Sequence, residues 1–192
     1  MSGPQEDAPA AQDSLRERPL QALALLGVLV EHGVDFVVIG GFSLAAHGYV
    51  RGTKDLDIVP NPTRGNLKRL MGALEDLDAE QLAVGDFKPE EMPLQLGVDG
   101  LAEGGNWLLR TRLGRLDVMQ YAAGMPGYEQ LLADAVRPHD LPGLPEGPAF
   151  AGFEDLVAMK RAAGRPQDLI DIAELERSRR QNDPNRPSRR GD

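Results

Sequence analysis

Hydrophobic residues recur at helical spacing through Leu20, Leu23, Leu25, Leu26, Val28, Leu29 and Val30, and the pattern stops at Gly33. This periodicity predicts a first helix, opened by the capping-box pair Ser14 and Glu17 and ended by the glycine. Residues 35–39 (DFVVI) are β-branched and aromatic and run into Gly40-Gly41, which predicts a buried strand feeding a tight turn, with a short helix over 42–47 after it. Over 54–59 (KDLDIV) the period becomes two, so that Asp55 and Asp57 fall on one face of a second strand and Leu56 and Ile58 on the other. Pro62 and Thr63 open a helix through Leu67, Leu70, Met71, Leu74 and Leu77.

Residues 86–105 read as loop with room for one strand. Residues 107–111 and 115–121 flank Leu113-Gly114 as the arms of a hairpin, with Trp107 in its core and Asp117 on its second arm. The remainder reads as a helix over 128–135, proline-rich turns as far as Pro148, and two closing helices over 153–163 and 166 to about 179, the last with Pro166 in its first turn. No internal repeat is visible. The order is an α/β (α+β) core followed by helices, with boundaries expected at a flexible arm (1–13), a core (14–126), a C-terminal helical part packed on it (127–179) and a flexible basic tail (180–192).

Composition narrows the chemistry. At 192 residues, with 41% hydrophobic and 27% charged, the chain has the balance of a globular domain. It contains no cysteine, which excludes a disulfide scaffold, a thiolate zinc site and a cysteine nucleophile together. The apolar run from Leu20 falls well short of the roughly 20 residues that span a bilayer. The acidic, Pro/Ala-rich start lacks the features of a secretion signal, so a cytoplasmic protein without membrane contact is expected. Net charge is −9; the six arginines and two aspartates from Arg177 onward contribute +4, leaving −13 on the residues before them. That excess of acid opposes avid non-specific binding to nucleic acid, although the basic tail offers one place where RNA could touch.

The segment 39–59 (IGGFSLAAHGYVRGTKDLDIV) carries the chemistry. Two glycines after a strand let backbone amides approach a phosphate, and Asp-x-Asp on the next strand projects two carboxylates from one face at a spacing suited to divalent cations. Each half alone reads as a turn and a solvated strand face; it is their succession that points to a nucleotide and metal site. His32 and His139 show no ligand spacing, and His47, in the short helix after the glycine turn, reads as a buried or surface histidine and not a catalytic one. By position alone Lys160 is an exposed helical lysine, while Asp168 and Asp171 complement the dipole of the last helix.

On Gly40-Gly41 and Asp55-Leu56-Asp57, with Arg51 and Thr53 in an R-x-T-x-D-x-D approach, the sequence resembles the nucleotidyltransferase fold of the DNA polymerase beta superfamily. The ending FEDLVAMKRAAGRPQDLIDIAEL is similar to that of small prokaryotic nucleotidyltransferases of the AbiEii/AbiGii toxin type. The resemblance implies a small mixed sheet flanked by helices, a third carboxylate at Asp117, and site roles for Lys160 and Asp168. It implies two Mg²⁺ ions, replaceable by Mn²⁺, held by Asp55, Asp57 and Asp117, and phosphate contacts from Gly40, Gly41, Ser43, Arg51 and Thr53. Here Phe42 stands where many members have serine, and Ser43 follows one place later. The implied reaction moves a nucleoside monophosphate from a nucleoside triphosphate to an RNA end, a protein side chain or a small molecule. A toxin role with an antitoxin protein as partner belongs to the same expectation. A non-catalytic nucleotide-binding module, or a toxin–antitoxin partner of the same fold, is the alternative.

Overall fold

The computed structural model describes residues 19–83, 85, 88–138, 141–144 and 147–182. Its elements are α1 (Ala22–Glu31), β1 (Phe36–Ile39), α2 (Gly40–Ala46), β2 (Asp55–Pro60), α3 (Arg64–Asp76), β3 (Glu80–Gln81), α4 (Val98–Ala102), β4 (Asn106–Thr111), β5 (Gly114–Met119), α5 (Tyr128–Ala133), β6 (Ala149–Phe150), α6 (Phe153–Ala163) and α7 (Pro166–Gln181). The strands form one mixed sheet in the order β3-β4-β5-β2-β1-β6. β1 lies antiparallel to β2, and β2 parallel to β5, which closes the β4–β5 hairpin.

Side-chain alternation divides the core into two layers. Phe36 and Val38 of β1, Leu56 and Ile58 of β2, and Leu116 and Val118 of β5 pack with Leu25, Leu29, Leu67, Leu70 and Leu74 of α1 and α3. Val37 and Ile39 face the opposite way, against Leu44, Leu131, Leu156, Val157 and Leu175 of α2, α5, α6 and α7. β1 is buried along its whole length, as expected of a strand covered by helices on both faces. Burying each such Leu, Ile or Val contributes roughly 1.5–3 kcal/mol, so this sandwich supplies the rigid platform on which the remaining face of β2 and β5 is displayed.

The sequence pattern and the structure differ at several positions. Leu20 and Gln21 are not helical: the Gln21 amide donates to the Leu113 carbonyl at 2.8 Å, tying the chain to the hairpin turn before α1 begins. The Ser14–Glu17 capping box, the 1–13 arm, His139 and the tail beyond Asn182 lie outside the described residues. Between 86 and 105 the described residues form a 3₁₀ turn at Pro89–Glu91 and the short α4 instead of a strand, because Pro89 and Pro93 have no N–H to give to a ladder. β6 had no readable pattern; two residues beyond the proline-rich turns pair in parallel with Val37 and Val38, so the stretch after residue 126 adds a strand to the sheet as well as helices to one face.

Candidate active site

Because Leu56 and Ile58 are claimed by the α1/α3 layer, Asp55 and Asp57 must face the other side of the sheet; the same argument through Leu116 and Val118 places Asp117 there. The parallel β2–β5 register sets Asp57 directly beside Asp117 and Asp55 beside Arg115, on strands about 4.8 Å apart. The three carboxylates form the floor of a cleft of about 470 Å³. Its lining also includes Gly40, Gly41, Arg51 and Thr53, and a wall of Lys160, Arg165 and Asp168 from α6 and the start of α7.

The glycine pair has a steric reason beyond the turn. Gly40 has φ +64°, and a Cβ on it would lie 2.0 Å from Asp57 Oδ2; one on Gly41 would lie 2.9 Å from the Thr53 side chain. The backbone therefore closes directly over Asp57. Thr53 Oγ1 donates to Asp55 Oδ1 at 3.0 Å and orients that carboxylate.

Electrostatics at the floor are adverse. Burial, reinforced by Asp55 and Asp117 and only partly offset by Lys160 and Arg165, pushes Asp57 up to about 7. Asp117 rises to about 6: burial raises it, Arg115 opposes, and Asp55 adds to the rise. Asp117 Oδ1 is buried without a hydrogen-bond partner, and Arg115 Nη2 stands 3.8 Å away. Three clustered carboxylates, two of them hard to ionise and one with an orphaned oxygen, form a donor set that suits a hard divalent cation such as Mg²⁺ or Mn²⁺. Among the described residues no three acidic or histidine side chains already converge as a preformed metal cage.

The wall is a chain of ion pairs. Lys160 is only 6% exposed, contrary to a surface lysine, because its ammonium lies between Asp168 Oδ1 (3.2 Å) and Asp171 Oδ2 (2.6 Å). Arg51 Nε and Nη2 grip Asp171 at 2.9 and 3.0 Å, and Arg165 Nε donates to Asp168 at 2.7 Å. Burial pushes both aspartates up, but the bonds from Arg165 and Lys160 to Asp168, and from Arg51, Lys160 and Gln167 to Asp171, outweigh it and hold both below the usual carboxylate range.

Of the residues singled out from sequence, Gly40, Gly41, Arg51, Thr53, Asp55, Asp57, Asp117, Lys160 and Asp168 all line this one cleft. Ser43 does not: it is fully buried on α2, and its hydroxyl donates to the Val38 carbonyl at 2.6 Å. Trp107 is a core residue, 2% exposed, and His47 contacts the Ala151 carbonyl at 2.9 Å away from the carboxylates. Arg165 and Asp171 were missed. Asp168 and Asp171 share a helical face with Ile172 and Leu175, an i, i+3, i+4, i+7 pattern that marks both acids as inward-facing.

No protein-family model and no curated protein matches the sequence. Among solved structures, the chain is similar to the lincosamide antibiotic adenylyltransferase LnuA bound to lincomycin, with a TM-score of 0.53 and 13% identity over 83% of this chain and 98% of that one. It is also similar to the antibiotic-resistance factor ANT(2'')-Ia in solution (TM-score 0.48, 15% identity, 80% of this chain and 77% of that one). The crystal structure of ANT(2'')-Ia with adenylyl-2''-tobramycin gives a TM-score of 0.46 and 13% identity, over 81% of this chain and 90% of that one.

Proposed function

We propose that the protein, whose mixed sheet flanked by helices is consistent with the nucleotidyltransferase fold, transfers a nucleoside monophosphate from a nucleoside triphosphate to a hydroxyl acceptor in a metal-dependent reaction. The observation that carries this reading is the meeting of Asp55, Asp57 and Asp117 on adjacent strands, beneath Gly40-Gly41, in a cleft also lined by Arg51, Lys160 and Arg165. The three aspartates would hold Mg²⁺, which when bound neutralises phosphate charge and makes an acceptor hydroxyl easier to deprotonate. Arg51, Lys160 and Arg165 take the phosphate oxygens. Asp117, with its unpartnered oxygen, lies where it can accept the acceptor's proton. The acceptor oxygen bonds to the α-phosphorus as the bond to pyrophosphate breaks, and the proton passes through Asp117 to solvent.

The likeness to LnuA supports ATP as the first donor to test and a small hydroxyl compound as the first acceptor. A charge of −13 ahead of the tail also favours a small acceptor over RNA. The AbiEii-like ending keeps an RNA end or protein side chain, with an antitoxin partner, as the competing acceptor class. A second reading, nucleotide binding without turnover, is favoured by Ser43, whose hydroxyl is committed to Val38 and takes no part in the cleft.

The test is incubation of the purified protein with Mg²⁺, each labelled nucleoside triphosphate and a panel of small-molecule, RNA and protein acceptors. Label transfer should occur with at least one pair and fall by about a hundredfold or more in Asp57→Asn. Magnesium-dependent nucleotide binding with no transfer would support the second reading, and unchanged transfer in Asp57→Asn would refute the first.

A further inference from the structure

Asp171 does not line the cleft, yet two of its cations depend on it. Its carboxylate is fully buried and receives four hydrogen bonds: two from Arg51 (2.9 and 3.0 Å), one from Lys160 (2.6 Å) and one from Gln167 (2.9 Å). Arg51 belongs to the loop before β2, Lys160 to α6 and Asp171 to α7, so a single carboxylate ties together cleft-lining cations from two distant segments.

The donor inventory shows what this arrangement leaves over. A guanidinium has five N–H donors and an ammonium three. Arg51 spends two on Asp171 and one on the Gly52 carbonyl; Lys160 spends one on Asp171 and one on Asp168. Each therefore keeps donors for a ligand in the cleft that both residues line. Arg165, gripped by Asp168, is the third such cation. The five charged side chains of the network sum to one positive charge, and of its two anions only Asp168 lines the cleft.

We infer that Asp171 is a positioning residue that aims Arg51 and Lys160 at the phosphates of the nucleotide. The inference rests on the nucleotide-binding reading of the cleft. It makes a prediction opposite in sign to simple electrostatics. Replacing Asp171 with asparagine removes a negative charge from the wall, so if charge alone mattered a polyphosphate would bind more tightly. The substituted amide has a single acceptor oxygen: at the Oδ2 position it keeps Arg51 Nη2 and Lys160 but turns N–H donors on Arg51 Nε and Gln167, and at the Oδ1 position it turns them on Arg51 Nη2 and Lys160, so the two-pronged grip on Arg51 is lost either way. Binding then weakens.

The probe is inorganic tripolyphosphate with Mg²⁺, titrated calorimetrically into the full chain, because this readout needs no turnover. Asp171→Asn, confirmed folded by circular dichroism, should bind it about tenfold more weakly, the scale of one or two charge-assisted hydrogen bonds. In the transfer assay KM for the nucleotide should rise by a similar factor with kcat changed less than about threefold, a split that general loosening of the fold would not produce. Arg51→Lys keeps every charge and the Lys160–Asp171 bond but loses the two-pronged grip, and should weaken binding in the same direction. If Asp171→Asn fails to fold, Arg51→Lys decides. Unchanged or tighter binding in a folded Asp171→Asn, unchanged binding in Arg51→Lys, or no tripolyphosphate binding by the wild type overturns the inference. Absence of transfer by a wild type that binds tripolyphosphate counts against the proposed reaction alone.

Discussion

Asp57→Asn should stabilise the metal-free protein at alkaline pH, although it removes a group proposed to be essential. Asparagine matches aspartate in shape, so the fit under Gly40 is kept, while the charge opposed by burial, Asp55 and Asp117 is gone. The rise of Asp57 from 3.8 to about 7 corresponds, at about 1.4 kcal/mol per tenfold change in ionisation constant, to roughly 4 kcal/mol at pH 8. Water reaches Asp57 from the cleft, and screening reduces the figure to about 2 kcal/mol. For a chain of this size that is a melting increase of about 4–8 °C.

The sign follows from proton counting. Between about 4 and about 7 the folded protein holds a proton on Asp57 that the unfolded chain has released. The stability this proton confers is complete below about 4 and is lost as pH rises through 7. The advantage of Asp57→Asn should thus be about two to three times larger at pH 8 than at pH 5. Comparing variant with wild type at each pH cancels the other carboxylates, including Asp168 and Asp171, which are held low and act in the opposite sense. The assay is thermal or urea unfolding in chelator at pH 5, 6, 7 and 8, repeated with Mg²⁺. Magnesium should raise the wild-type melting temperature at pH 8 and have much less effect on the variant. A variant less stable than wild type at pH 8 in chelator, or a gap that is the same at pH 5 and 8, would show that the carboxylate cluster is not the source of strain assumed here.

Two further substitutions probe the turn. Gly40→Ala combines a left-handed backbone with a Cβ 2.0 Å from Asp57 Oδ2, so it should lower stability by about 1–3 kcal/mol and displace Asp57; a wild-type unfolding curve together with wild-type transfer would contradict this. Ser43→Ala removes a buried hydroxyl bonded to the Val38 carbonyl and should destabilise by about 1 kcal/mol while leaving nucleotide KM unchanged; a large rise in KM at unchanged stability would return Ser43 to the phosphate site.

What the chain alone determined was whatever depends on neighbours in sequence. Alternation in β2 put Asp55 and Asp57 on one face, and the strand before Gly40-Gly41 and the β4–β5 hairpin were legible because each is set by a few consecutive side chains and a turn. The two-residue β6 was too short to carry a period. Tertiary structure decided which polar residues meet. Ser43 turned inward to Val38, while Lys160, readable as a surface lysine, became buried once α7 brought Asp168 and Asp171 against it. The Arg51–Asp171 pair spans 120 positions. Local periodicity specifies the face on which a side chain lies, but the partner that neutralises a buried charge is chosen by packing between distant elements. The shared face of Asp55 and Asp57 was therefore legible in the sequence, and the contacts that anchor Arg51 and Lys160 through Asp171 were not.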